Sequence, residues 1–172
     1  ATLYNEQGAV DLAQQEYTRA LALNPRHLPA LYGLASLAYG RGDWAEAAVR
    51  DEAYLALNDD AGTHALAAAA YKALGDLPAA LRHLEAAARL DPDNLLVAQQ
   101  LVNVANRLNR LDVAQDAADA ALRLRPTEPG LYFAQGQLAY KRCDLPAAVA
   151  ALRRSVELAP ANSLYTGFLA LY

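Results

Sequence analysis

The chain has 172 residues, a formal net charge of −4 and a pI near 5.3, and 55% of its residues are hydrophobic. The acidic balance provides no basic field for a phosphate backbone, so nucleic acid is not an expected partner. No apolar run approaches the ~20 residues that a membrane span requires, and a single cysteine excludes an internal disulfide framework.

Alanine and leucine, which favour helix, make up much of the hydrophobic fraction, so an all-α fold is expected. The chain contains no methionine, and no signal-peptide pattern precedes Leu3. We therefore expect a processed form or an excised piece of a longer protein.

Apolar periodicity predicts paired helices from one end of the chain to the other. Residues 1 to 7 are predicted to be the tail of a first helix, and residues 10 to 24 its partner. The later predicted helices are 28–41 with 44–57, 62–74 with 78–90, 95–108 with 111–124, 129–142 with 146–158, and a last helix at 163–171. A turn is predicted inside each pair, at Gly8, Gly42, Gly75, Asn109 and Cys143.

Two sets of residues recur in register with these pairs. An alanine recurs in the second helices with spacings of 34, 33, 34 and 34, at Ala13, Ala47, Ala80, Ala114 and Ala148. The position that ends each pair is a proline in four of five cases, at Pro25, Asp59, Pro92, Pro126 and Pro160. A pair of short helices cannot bury both of its apolar faces alone, so each pair needs its neighbours.

The pattern resembles the tetratricopeptide repeat, in which a W-x2-L-G-x2-Y first helix is followed by A-x3-F and a closing proline. Tyr132 and Gly136 match the aromatic and glycine positions, while Tyr17, Leu84 and Leu152 match the large apolar position. The resemblance covers residues 1–172 as one array, with repeats at about 1–27, 28–60, 61–94, 95–128 and 129–162 and a partial repeat at 163–172. It implies a right-handed superhelical solenoid whose first helices line the concave side.

The second repeat departs from the pattern. Asp51 occupies the large apolar position, and the repeat spacing shortens by one residue between Asp59 and Tyr71. A buried, unpaired carboxylate would be costly, so we expect Asp51 to tilt to solvent or to pair with an arginine such as Arg50. The junction between the second and third repeats is expected to be irregular.

The last helix carries Leu164, Tyr165, Phe168 and Leu169, which we expect to be exposed without a partner. Solenoids normally end in polar caps. The array is therefore predicted either to continue in a longer protein or to stack on another copy.

The first helices predict a groove for a partner. In the fourth repeat, the face opposite the apolar stripe is almost all amide, and amides can pair with a peptide backbone because they both donate and accept hydrogen bonds. The same positions in all repeats predict a lining of Asn5, Tyr32, Ser36, Tyr39, Lys72, Gln99, Gln100, Asn103, Asn106, Arg107, Phe133, Gln137, Tyr140 and Lys141. The aromatic residues in this lining can instead pack against neighbouring helices.

Other chemistry finds no support in the sequence. His27 lies in a turn, His64 at an apolar position and His83 on a predicted outer face, so no two histidines share a helical face at metal-ligand spacing. Cys143 has no histidine predicted nearby to activate it. No glycine-rich loop joins a strand to a helix, and no metal, cofactor or enzymatic activity is predicted.

We therefore predict a non-catalytic scaffold that binds a partner protein, as a peptide or a helix, in the groove. Two alternatives stay open: self-assembly into a homo-oligomer through the terminal helices, and service as the recognition arm of a larger enzyme or regulator. We expect a soluble protein, with the cytoplasm favoured as its compartment over the periplasm or cell envelope.

Overall fold

The computed structural model describes residues 2–170, and the side chains of residues 9–170. The described residues form ten α-helices and no strand: α1 (Thr2–Leu23), α2 (Leu28–Arg41), α3 (Trp44–Leu55), α4 (Ala61–Ala73), α5 (Leu77–Leu90), α6 (Leu95–Arg107), α7 (Leu111–Leu124), α8 (Pro129–Lys141), α9 (Leu145–Leu158) and α10 (Ser163–Leu169). The all-α prediction is confirmed, and from α2 onward the predicted helices agree with the observed ones to within two residues at each end.

The predicted first pair is wrong, because α1 runs through Gly8 as one continuous helix. A turn at Gly8 would interrupt backbone hydrogen bonds without giving residues 2–7 a helix to pack against. A glycine inside a helix costs only about 1 kcal/mol relative to alanine. Continuation of the helix is therefore the cheaper solution at this position.

The same turn joins the two helices of each later pair. Gly42 donates its N–H to the Tyr39 carbonyl and Asp43 donates to the Ala38 carbonyl at 2.9 Å, which is the Schellman arrangement. The corresponding bonds recur in the three following pairs. The central turn residue has a positive φ each time, with 71° at Gly42, 82° at Gly75, 57° at Asn109 and 61° at Cys143. The four predicted turn positions after Gly8 are thus confirmed.

Side-chain caps start most of the second helices. The carboxylate oxygens of Asp43, Asp76 and Asp144 accept backbone N–H groups of the first turn at 3.0 to 3.1 Å. Arg110 occupies the same position before α7 and supplies no side-chain cap. The helix pairs therefore share one backbone design, while their capping chemistry differs.

The chain divides into two compact units, residues 1–90 and residues 91–172. In the first unit a core of small residues brings α2, α3 and α4 together, and it consists of Ala38, Ala47, Ala48 and Ala70 with Tyr39 and Tyr71 packed against it. A corresponding core in the second unit consists of Ala98, Ala121 and Leu131 with Leu95 and Leu122 packed against it. The extension of one array over residues 1–172 stays a prediction.

Large and small residues interlock in both units. A Cβ atom on Gly33 would overlap the Tyr17 ring, and one on Gly136 would lie 2.7 Å from Leu152 Cγ. Leu84 and Leu152 are buried, as their repeat position predicts. Helices can therefore approach closely where a glycine faces a large side chain.

Candidate partner-binding surfaces

The predicted groove residues of the first unit have unlike environments. Tyr32 is 51% exposed, and its ring centroid lies 6.3 Å from that of Tyr54. Ser36 is exposed, and its hydroxyl donates to the Tyr32 carbonyl. Lys72 is half-buried, and the side chain of Asn5 lies outside the described residues. In this unit, only Tyr32 among the predicted aromatic residues offers a broad exposed surface.

Tyr39, predicted for the groove, turns inward instead. It is half-buried, its ring lies edge-on to Trp44, and its hydroxyl donates to Asp51 Oδ2 at 2.5 Å. The hydroxyl is thus already paired inside the α2–α3 hairpin.

The expected environment of Asp51 is wrong. The residue is 1% exposed, and its hydrogen-bond partner is Tyr39, while Arg50 pairs with Glu46 at 2.7 Å. Arg50 lies beside Asp51 in sequence and therefore projects to a different side of α3. Burial is the main reason that the pKa of Asp51 rises to about 6, although the Tyr39 hydrogen bond acts in the opposite direction.

In the second unit, the predicted polar residues lie on two neighbouring first helices. We call this set the amide surface, and it consists of Gln99, Gln100, Asn103, Asn106 and Arg107 of α6 with Gln137, Tyr140 and Lys141 of α8. Asn103 and Arg107 are exposed, Tyr140 is 48% exposed, and the glutamines are half-buried. Its exposed members make the surface accessible, and none of its eight residues carries a carboxylate.

Lys141 links the two helices of the amide surface by hydrogen bonds. Lys141 Nζ donates to the Asn106 carbonyl at 2.8 Å and to Asn106 Oδ1 at 2.5 Å. The amides of Gln99, Asn103 and Gln137 make no hydrogen bond to other described residues. These three amides thus remain available to a ligand, while Asn106 is held in place.

Phe133, also predicted for the groove, belongs to an aromatic cluster with the last helix. Its ring centroid lies 4.9 Å from that of Tyr165 and 5.1 Å from that of Phe168. Tyr165, Phe168 and Leu169 are half-buried, so the prediction that all four apolar residues of this helix are exposed is wrong. Only Leu164, at 55%, is exposed, because α10 packs its other apolar residues toward α8 and α9.

The histidines lie differently from their prediction. His83 is buried rather than on an outer face, and its Nδ1 lies 2.9 Å from His64 Nδ1. Glu52 and Asp59 contact the outer nitrogens of the two rings. A projection of one helix at a time misses this cluster, because its members come from α3, α4, α5 and a connecting turn.

Among the described residues, no group of three or more His, Cys, Asp and Glu side chains is arranged to hold a metal ion. Cys143 is exposed in its turn. Within residues 2–170, no helix is both long and apolar enough to cross a membrane.

Comparison with protein-family models gives one consistent result. A tetratricopeptide repeat model matches residues 1–74 and 100–163, and a second tetratricopeptide repeat model matches residues 61–94. No curated protein sequence matches the chain.

Solved structures with the same fold are distant in sequence. YrrB, described as a TPR protein with an unusual peptide-binding site, is 18% identical with a TM-score of 0.82, covering 96% of this chain and 86% of that one. MamA from Desulfovibrio magneticus RS-1 is 17% identical with a TM-score of 0.74, covering 84% and 82%. TTC0263, a thermophilic TPR protein of Thermus thermophilus, is 26% identical with a TM-score of 0.58, covering 98% and 93%.

Proposed function

The chain belongs to the tetratricopeptide repeat family, and on that premise we propose that it is a non-catalytic protein-interaction scaffold whose amide surface binds a partner peptide. The coarser part of this proposal, an interaction scaffold, follows from the family and from its structural neighbours. The finer part concerns the second unit alone.

The proposal of a peptide site depends on one observation: the amide surface combines an amide that is held in place with amides that have no hydrogen-bond partner among the described residues. Lys141 holds Asn106, so the surface is pre-organised, and Gln99, Asn103 and Gln137 keep their donors and acceptors for a ligand. A peptide backbone presents alternating N–H and C=O groups, which amide side chains can match whatever the peptide sequence. Pre-organised groups lower the entropy cost of binding.

The side chains around these amides indicate what else a peptide would contact. Tyr140 supplies an amphipathic ring, which is a common anchor at interfaces. Arg107 and Lys141 add positive charge without a carboxylate among the eight residues of the surface. We therefore expect extended peptides with an apolar side chain and at least one acidic group to be preferred.

The proposal is tested by selecting peptides from a random display library on the full chain and measuring their affinity by fluorescence anisotropy. The substitutions Asn103→Ala, Gln137→Ala and Tyr140→Ala are combined in one variant. We expect at least about a tenfold loss of affinity, because interface anchors commonly contribute more than 1 kcal/mol each.

The control combines Asp116→Ala on α7 with Arg153→Ala on α9, both exposed positions on second helices. Its affinity should match that of the original chain. Equal affinity of all three proteins for the selected peptides would contradict an amide-surface site and would place binding elsewhere on the chain.

A second candidate, end-to-end self-assembly, is favoured by one observation, the exposed Leu164 on the last helix. Heterologous contacts of this kind form filaments or closed rings. Leu164→Glu is the appropriate variant, because Phe168 packs against Phe133 and its replacement would disturb the helix itself. Sedimentation that is concentration-dependent in the original chain and monomeric in Leu164→Glu would support assembly, and monomeric sedimentation of both proteins would exclude it.

A further inference from the structure

A continuous polar chain crosses three helices of the first unit, apart from the proposed binding surface. His64 Nδ1 lies 2.9 Å from His83 Nδ1, His64 Nε2 lies 2.8 Å from Asp59 Oδ1, and His83 Nε2 lies 3.1 Å from Glu52 Oε1. Tyr71 stacks on the His83 ring with an interplanar angle of 14° and donates its hydroxyl to Glu52 at 3.0 Å. Each of the four imidazole nitrogens therefore has one partner.

The protons of this chain can be counted from its chemistry. Asp59 and Glu52 are open to solvent, and an ionised carboxylate only accepts hydrogen bonds, so both Nε2 atoms must carry a proton. Two Nδ1 lone pairs would then face each other at hydrogen-bond distance, which is repulsive unless a proton lies between them. The two rings together need three ring protons, one more than two neutral imidazoles hold.

We infer that His64 and His83 form a largely buried site for one shared proton, an imidazole–imidazolium pair that links α4 and α5 to α3 through Glu52. The positive charge lies between the Asp59 and Glu52 carboxylates, which compensate it. Because Glu52 comes from α3, His64 from α4 and His83 from α5, the proton stabilises the packing between consecutive repeats.

A proton fits this site better than a metal ion. Zinc binds imidazole nitrogens at about 2.0–2.1 Å, so two ligands at a tetrahedral angle would lie about 3.3 Å apart. The observed 2.9 Å separation is that of a hydrogen bond, and no group of three His, Cys, Asp or Glu side chains among the described residues is arranged to hold a metal ion.

The site has room for one proton and not for two. A second proton would set one Nδ1–H against another and would place two charges on side chains that are 13% and 8% exposed. The pKa of His83 is lowered mainly by burial, and the charges of His64 and Arg82 lower it further. The hydrogen bond and the charge of Glu52 raise it in part. The titratable and charged groups around the pair are Glu52 from α3, Asp59, Asp60 and Tyr71 from the α4 side, and Arg82 and Arg89 from α5.

The sign of the pH dependence follows from the proton count. In the unfolded chain two independent histidines, each with a pKa near 6.5, hold one proton on average at about pH 6.5. Below that pH the unfolded chain binds more protons than the folded pair, and above it the folded pair binds more. The stabilising effect of the pair is therefore greatest near pH 6.5 and decreases in both directions.

The test uses the full ¹⁵N-labelled chain with His27→Asn, which removes the third histidine. His27 caps α2 by accepting from the Ala30 N–H, and asparagine can serve the same role. At pH 6.5 we expect a ¹⁵N–¹⁵N coupling between the two Nδ1 atoms and protonated Nε2 atoms on both rings. Absence of the coupling, or two neutral rings at this pH, would overturn the inference.

Urea unfolding provides a second measurement. The reference protein also carries His64→Gln and His83→Gln. The difference in urea midpoint between the two proteins should be largest at pH 6.5 and should fall by about 0.5 M when the pH is moved about one unit in either direction. Asp51 titrates in both proteins, so the difference isolates the pair. A flat difference would contradict a shared proton.

Adding Zn²⁺ distinguishes a shared proton from a bound metal ion at this site. We expect added Zn²⁺ to leave the Nδ1 coupling and the urea midpoint at pH 6.5 unchanged. Stoichiometric Zn²⁺ binding that removes the coupling would overturn the inference and assign the pair to a metal site.

Discussion

In the first unit, the Asp51 carboxylate is buried between α2 and α3 with the Tyr39 hydroxyl as its partner. Its pKa of about 6 lies above the ordinary 3.8. The stability that the protonated group contributes is fully present below pH 3.8 and is lost as the pH rises through about 6. At neutral pH the buried Asp51 carboxylate is therefore ionised, and its charge lowers the stability of the folded protein.

Asp51→Asn should therefore stabilise the protein in a pH-dependent way, since asparagine can accept the Tyr39 hydroxyl without a charge. The gain in the free energy of unfolding should grow between about pH 4 and pH 6 and reach at most about 3 kcal/mol above it. Urea unfolding at pH 4 and pH 8 measures the gain. Asp43→Asn, an exposed cap that asparagine preserves, is the control, and equal gains for Asp51→Asn at both pH values would refute the argument.

Cys143 is another residue at odds with its position, because its φ of 61° lies in the left-handed region. This conformation destabilises the fold by roughly 1–2 kcal/mol when the residue is not glycine. Glycine removes that strain, but part of the gain is offset because the unfolded chain has more conformational freedom with glycine. We expect Cys143→Gly to raise the free energy of unfolding by about 0.5–1 kcal/mol. Asn109→Gly should gain less, because asparagine tolerates the same conformation. A larger gain at Asn109 would contradict this account.

At the scale of the helix, capping distinguishes α7 from its counterparts. Arg110 has φ −85° and ψ 71°, close to the −82° and 77° of Asp43, so an aspartate would be placed to cap without rearrangement. Arg110→Asp should stabilise the protein by about 1 kcal/mol through the new hydrogen bond, with a smaller contribution from the helix dipole. Arg110→Ala removes the positive charge at the start of α7 without supplying a cap. Thermal unfolding of both variants decides the matter, and equal stabilisation would show that no cap forms.

The same scale shows what the sequence could predict. The register of the repeats predicts all five turn positions, and it holds at Cys143 although cysteine is not a typical turn residue. It fails at Gly8, because a turn is favourable only where the interrupted segment has a helix to pack against. Contacts between helices, such as those of Phe133 with α10 and of His64 with His83, depend on side-chain directions from two elements and were beyond single-helix projections.

At the scale of the whole molecule, the chain is a succession of helices that, within each of its two units, contact mainly their neighbours in sequence. Stability in such arrays is approximately a sum of the stabilities of single repeats and of the interfaces between neighbours. The partner-binding proposal for α6 and α8 and the shared proton in α4 and α5 therefore concern different units. We expect a local defect to remain local.

Two glycine substitutions test this expectation with opposite signs. A Cβ on Gly136 would lie 2.7 Å from the Cγ of buried Leu152, so Gly136→Ala should destabilise by about 1–3 kcal/mol. A Cβ on Gly40 meets no atom within 4 Å, so Gly40→Ala should stabilise α2 by about 0.5–1 kcal/mol.

Native-state hydrogen exchange shows where each change acts. In Gly136→Ala, amide protection should fall in α8 and α9, where Gly136 and Leu152 pack together, and should be unchanged in α2 to α5. In Gly40→Ala, the increase should be confined to the first unit. If protection in Gly136→Ala falls equally in every helix, the chain unfolds as one cooperative body, because only global opening exposes all amides together.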